Sequence, residues 1–226
     1  LEAHDILCKI GEIVVVGGVR RSAMISLSNL SDDRMRKAKM GEWWTNEGQR
    51  ALSNNSICYT EKPEVGSFLQ EWLSLYESKS GERGIFNRVA SQKQAAKNGR
   101  RDSDRDFGTN PCSEIILRPY QFCNLTEVVV RSGDTFETLA RTVKLATILG
   151  TSQSTLTNFP YLRKIWQINT EEERLLGVSM TGQLDNLALV RGEIDESKLK
   201  EIAVAVNAEY AVYLAINPST AITCVK

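Results

Sequence analysis

Short runs rich in β-branched and apolar residues alternate with longer segments of helical period, and that alternation restricts the chain to an α/β architecture. Glu12 to Val16, Ala23 to Leu27, Asn55 to Tyr59, Ile115 to Leu117, Leu125 to Val130 and Ala221 to Val225 read as strands. Glu2 to Ile10, Arg34 to Lys39, Asn87 to Lys97, Thr135 to Thr151, Tyr161 to Glu173, Thr181 to Val190 and Glu196 to Ile216 read as helices. Val65 to Tyr76 is expected to be another. Its apolar residues at Val65, Phe68, Leu69, Trp72, Leu73 and Tyr76 fall on one helical face. Ser31-Asp32-Asp33 supplies a helix start and Asn98-Gly99 a helix end. Gly17-Gly18 interrupts the first strand, which resumes at Ala23. With 226 residues, 42% of them apolar, the chain suffices for a sizeable core, as one domain or part of a larger one.

Charge and cysteine usage exclude several classes. The 28 basic and 28 acidic residues cancel, so no nucleic-acid or membrane-binding surface is expected. The basic run from Lys93 to Arg105 is interleaved with Asp102 and Asp104 and reads as a solvated loop and not a phosphate groove. No apolar segment reaches the roughly 18 to 20 residues that span a bilayer. Cys8, Cys58, Cys112, Cys123 and Cys224 form no C-x-x-C pair, and His4 is the only histidine, so no metal site is expected. Dispersed thiols suit a reducing, cytoplasmic location. Acid–base chemistry must then fall on carboxylates or thiols. Cys58 and Cys224 read as structural thiols, and Trp43, Trp44, Trp72 and Trp166 as packing residues.

Asn110-Pro111-Cys112-Ser113-Glu114 is the stretch that carries chemistry. An amide, a thiol and a carboxylate recur at i, i+2 and i+4, which puts them on one side of an extended segment. Cys123 follows eleven positions after Cys112, in Phe122-Cys123-Asn124-Leu125-Thr126-Glu127. Radical removal of a sugar hydroxyl is one of the few chemistries that use such a set. Plainer roles also exist for each residue. A free cysteine is commonly a small buried hydrophobe, Asn before Pro a turn residue, and a loop glutamate a solvated charge. Gly17 to Ser22, with Gly18, Arg20, Arg21 and Ser22, joins backbone amides to two guanidinium groups, a set suited to phosphate, or else a tight inter-strand turn. Ser53-Asn54-Asn55-Ser56 is polar enough to line a substrate pocket, and turn chemistry accounts for it nearly as well.

N-P-C-S-E-I followed by C-N-L-T-E-V resembles the catalytic loop and following strand of the ribonucleotide reductases, in the wording of the adenosylcobalamin-dependent (class II) branch. Val16 to Ala23, Leu52 to Ser56, Gly84-Ile85-Phe86-Asn87-Arg88 and Gly177 to Gly182 match the same family in order, so the likeness covers essentially the whole chain. The resemblance implies part of a ten-stranded α/β barrel with a central finger loop that bears Cys112, residues 1–226 being a catalytic-core piece without its N- and C-terminal parts. It implies that Cys112 carries a thiyl radical, Glu114 is the base, Asn110 holds the ribose and Cys123 supplies reducing electrons. Gly18, Arg20, Arg21 and Ser22 would belong to a loop reporting a bound effector, and Ser53, Asn54 and Asn55 to the substrate pocket. The implied cofactor is adenosylcobalamin. The implied partners are a ribonucleotide substrate, a deoxynucleotide effector and a thioredoxin-like reductant. A reductase fed by a separate metal-containing radical subunit uses the same Asn-Cys-Glu chemistry, and a non-catalytic nucleotide-binding paralogue is the third possibility.

Overall fold

The computed structural model describes residues 1–226 apart from 17, 18, 21, 98 and 224–226. The chain forms two compact units, Leu1–Lys97 with Ser103–Ile116, and Asn98–Asp102 with Leu117–Lys226.

In the first unit, helix α1 (Glu2–Glu12) precedes a three-stranded parallel sheet of β1 (Met24–Ser28), β2 (Ser53–Tyr59) and β3 (Gly84–Asn87), in that order. Met24 is paired with Ser53 and Ser56 with Gly84, so β2 is the central strand. Parallel neighbours need crossover connections. Helix α2 (Val65–Ser78) lies in the connection between β2 and β3, and α3 (Arg88–Ala96) follows β3. The Asn87 carboxamide caps α3 by accepting from the Ala90 amide at 2.9 Å. The segment around Gly17-Gly18 departs from the expectation of one interrupted strand. Val15–Val16 pairs antiparallel with Val19–Arg20, and Met24–Ser28 is a separate strand in another sheet.

Helix α2 also departs from its pattern. The expected stripe is helical, yet Leu69, Trp72, Leu73 and Tyr76 are exposed, while Glu71 on the other side is buried. Glu71 receives hydrogen bonds from Arg36 Nε at 2.6 Å and from Arg83 Nη2 at 2.9 Å, and Arg83 also donates to Ser28 Oγ and the Asn29 carbonyl. Burial pushes the Glu71 carboxyl up, but the Arg83 and Arg36 hydrogen bonds outweigh it and hold the group below the usual carboxylate range.

In the second unit a parallel sheet runs in the order β6 (Ile222–Thr223), β5 (Leu176–Thr181), β4 (Asn124–Val129). Helices α4 (Phe136–Gln153), α5 (Lys164–Glu173) and α6 (Glu196–Tyr213) accompany it. Val128, Leu139, Val143, Val178, Met180, Leu199 and Ala203 join strands and helices in one apolar cluster. Residues 176–181 correct the expected helix start at Thr181, which is instead the last residue of a strand. This stretch is the central strand, buried on both faces, and it therefore shows no alternation to read. Gly182 ends it at φ 78°, where an added Cβ would lie 2.8 Å from the Val130 carbonyl oxygen. Arg101, expected in a solvated loop, instead places its guanidinium against the Glu173 carboxylate at 2.8 Å. Among the described residues no helix is long and apolar enough to cross a membrane.

Candidate active site

Pro111 determines the local shape of the Cys112 loop. Its fixed φ suits the second position of a β-turn, and the Ser113 amide closes that turn on the Asn110 carbonyl at 2.9 Å. Ser113 has φ 64°, the left-handed region that costs a non-glycine residue energy and recurs at functional sites. The segment is therefore a turn and not an extended strand. Asn110, Cys112 and Glu114 share it, but strand alternation does not align them. Cys112, third in the turn, is an exposed free thiol, whereas Glu114 and Asn110 are half-buried.

Asn110 helps to build the loop. Its Oδ1 accepts from the Ile115 amide at 3.2 Å, and Thr109 Oγ1 donates to the Ile115 carbonyl at 3.0 Å. Before the loop, Arg88 Nε donates to the Phe107 carbonyl at 2.8 Å and its guanidinium pairs with Asp106 at 2.7 Å. Asn54 Nδ2, on β2, donates to the Pro111 carbonyl at 2.6 Å. Thr109 lies outside every motif read from the sequence, and Arg88 enters there only as the last residue of the Gly84–Arg88 match, with no role at this loop. The carbonyls they bind carry no residue-type signal, so no spacing could have revealed these contacts.

Ser53 and Asn55, expected beside a substrate, are buried with their polar groups turned inward. Ser53 Oγ donates to Asn55 Oδ1 at 3.0 Å, and His4 Nε2 lies 3.0 Å from the same oxygen. Ser22 Oγ donates to the Gly11 carbonyl at 2.5 Å, at the end of α1. Gly18 and Arg21 lie outside the described residues, as do the side chain of Arg20 and all of Cys224. Burial pushes the Cys8 and Cys58 thiols up, which marks both as poor thiolates.

Cys123 belongs to the second unit, half-buried and one residue ahead of β4. The approach to it is pinned on both sides. Gln121 donates to the Glu173 carboxylate and accepts from the Arg118 amide at 3.0 Å. Phe122 packs against Trp166 and Phe159 with ring centroids 4.7 and 4.9 Å apart. The Asn124 amide donates to the Leu175 carbonyl at 2.9 Å, which starts the pairing of β4 with β5.

These two cysteine-bearing α/β units have the fold of a ribonucleotide reductase. The crystal structure of a B12-dependent (class II) ribonucleotide reductase matches 98% of this chain and 34% of that one, with a TM-score of 0.66 and 24% identity. Sequence relatives carry the likeness further. The adenosylcobalamin-dependent ribonucleoside-triphosphate reductase of Lacticaseibacillus paracasei is 31% identical over 199 residues, and that of Lactobacillus leichmannii 30% identical over 205. Each match covers 82% of this chain, which is thus homologous to these reductases, and the chain spans 24% of the length of each relative. No protein-family model matches the chain.

Proposed function

We propose that this chain is part of the catalytic core of an adenosylcobalamin-dependent reductase that converts ribonucleotides, in the first instance triphosphates, to 2′-deoxyribonucleotides for DNA synthesis. The observation that carries the reading is the turn presenting the exposed Cys112 thiol between Asn110 and Glu114, in a chain homologous to such reductases. Residues 1–226 would form part of one ten-stranded α/β barrel domain, with the Cys112 turn as its finger loop. A cytoplasmic location fits the unbridged thiols Cys8, Cys58 and Cys112.

The fit of the cofactor is tested at Cys112, because a thiol that surrenders a hydrogen atom must be reachable. Its exposure at the tip of the turn meets that requirement, and Cys112 is the residue that would face the cofactor. Bound adenosylcobalamin would supply the radical that takes the Cys112 hydrogen atom. The Cys112 thiyl would then remove the 3′ hydrogen atom of the ribose, a step for which sulfur suits because its S–H bond is close in strength to the sugar C–H bond. Asn110 would hold the ribose hydroxyls. Glu114, half-buried, would take the 3′-hydroxyl proton as the 2′ hydroxyl leaves as water, protonated by a thiol. Cys123 and a second thiol beyond this chain would give two electrons and end as a disulfide, after which Cys112 returns the 3′ hydrogen atom. A thioredoxin-like dithiol would reduce that disulfide, and the Gly18, Arg20, Arg21 and Ser22 loop would report a deoxynucleotide effector.

The test is to incubate the complete protein with cytidine triphosphate or diphosphate and a dithiol, with and without adenosylcobalamin. Deoxycytidine nucleotide that requires the cofactor is the expected result. Tight nucleotide binding without product would overturn the reading in favour of a partner-supplied radical or a binding-only role.

A further inference from the structure

The start of β2 is braced by buried polar contacts on both sides of one outward-facing residue. Ser53 is 0% and Asn55 2% exposed. The Asn55 amide donates to the Glu82 carboxylate at 3.0 Å, and Glu82 in turn accepts from Lys39 Nζ at 2.9 Å. Lys39 also donates to the Ser53 carbonyl. With His4 and Ser53 Oγ on Asn55 Oδ1, the backbone on either side of Asn54 is held from below. Asn54 itself is exposed, and its side chain reaches the loop through the 2.6 Å hydrogen bond from Nδ2 to the Pro111 carbonyl. A carbonyl oxygen only accepts, so the amide must present its nitrogen, and the orientation of the side chain follows.

The chemistry of the peptide bond gives this contact its consequence. The Pro111 carbonyl belongs to the planar group that joins Pro111 to Cys112. Holding that oxygen fixes the rotation of the plane, and with it the direction in which the Cys112 Cα–Cβ bond leaves the turn. The turn needs such a restraint, since it contains Ser113 at positive φ and its tip is exposed. We infer that Asn54 is a positioning residue for Cys112, acting through the Pro111 carbonyl from the braced start of β2, and not a nucleotide contact. The kinetic part of this inference rests on the reductase reading; the structural part rests on the geometry alone.

The test compares Asn54→Asp, which keeps the shape but removes the donor, with Asn54→Gln, which keeps the donor on a longer arm. Both are made in the complete protein and read by hydrogen exchange and by turnover. In Asn54→Asp, the Ser113 and Ile115 amides that close the turn should exchange faster, with the remainder of the protein unchanged. Misplacing a reacting group by an ångström costs on the order of a hundredfold, so kcat should fall about tenfold to a hundredfold. KM should move less than about twofold, as befits an interaction that does not bind substrate directly. Asn54→Gln should recover part of the turnover. Unchanged exchange across residues 109–115, an unchanged kcat, or a raised KM with kcat preserved would each overturn the inference. Exchange is measured without turnover, so a wild-type protein that reduces no nucleotide would sink the reductase reading and leave the positioning claim to the exchange data.

Discussion

The two units use three parallel strands apiece and fill their interiors in opposite ways. Behind β4 and β5 lies an apolar cluster of Val, Leu, Met and Ala side chains. Beside β1 to β3, in contrast, the interior is crossed by ion pairs, with Glu71 between Arg36 and Arg83, Arg50 on Asp5, and Lys39 on Glu82. Apolar burial is non-directional and tolerates small displacements, whereas hydrogen-bonded ions fix position. The polar interior belongs to the unit that carries the Cys112 turn, where direction matters. In the second unit, the buried Arg101–Glu173 ion pair is tied through the neutral Gln121 carboxamide to the segment leading to Cys123. Ionic bracing thus occurs in the unit that carries Cys112 and on the segment leading to Cys123, and apolar packing supplies the remainder.

The contrast is broken most severely at Glu71. Glu71→Ala would leave Arg36 and Arg83 buried without their carboxylate, at a cost of about 3–5 kcal/mol. Urea unfolding followed by hydrogen exchange should show the loss in the first unit. In the second unit the matching variant is Leu139→Ala, from a side chain that is fully buried. A cavity there should cost about 2–5 kcal/mol, with no dependence on pH. The pH response separates the two designs further. Arg50 hydrogen bonds hold the Asp5 carboxyl at about 2, against burial that pushes it up, while its ordinary value is 3.8. Because the folded value is the lower one, this contribution is complete above the ordinary value and is lost as the pH falls toward 2. Glu71 shifts in the same direction. Acid titration with exchange readout should therefore loosen the first unit before the second. Loss in the reverse order would contradict the comparison. The smallest effect is expected at Asp32, whose carboxylate accepts from the Met35 amide at 2.9 Å and caps a short helix. Asp32→Ala should cost about 0.5–2 kcal/mol, read as a lowered melting temperature.

Much of this organisation is written locally. Thr135, Asn87 and Asp195 cap helices where the sequence suggests a start, because capping depends on residues within one turn. The strands at Ser53–Tyr59 and Asn124–Val129 were legible from their β-branched and apolar content. What failed depended on distant partners. The central strand Leu176–Thr181 is covered on both faces and offers no period. The apolar stripe of α2 identified a helix, but which side is buried was decided by Arg36 and Arg83, remote in sequence from Glu71. At the site, Asn110, Cys112, Glu114 and Cys123 stood out by residue type. Their arrangement did not, since the turn overrides strand alternation and the Asn54 tether joins residues 57 positions apart.

If Cys112 carries the radical, as proposed, Cys112→Ser in the complete protein should abolish turnover. Serine keeps the size and the hydrogen-bonding capacity of the side chain, but its O–H bond is too strong to exchange a hydrogen atom with a sugar C–H. No deoxynucleotide is expected from Cys112→Ser in the presence of adenosylcobalamin and dithiol, with nucleotide affinity intact by calorimetry. Deoxynucleotide formation at an undiminished rate would contradict it.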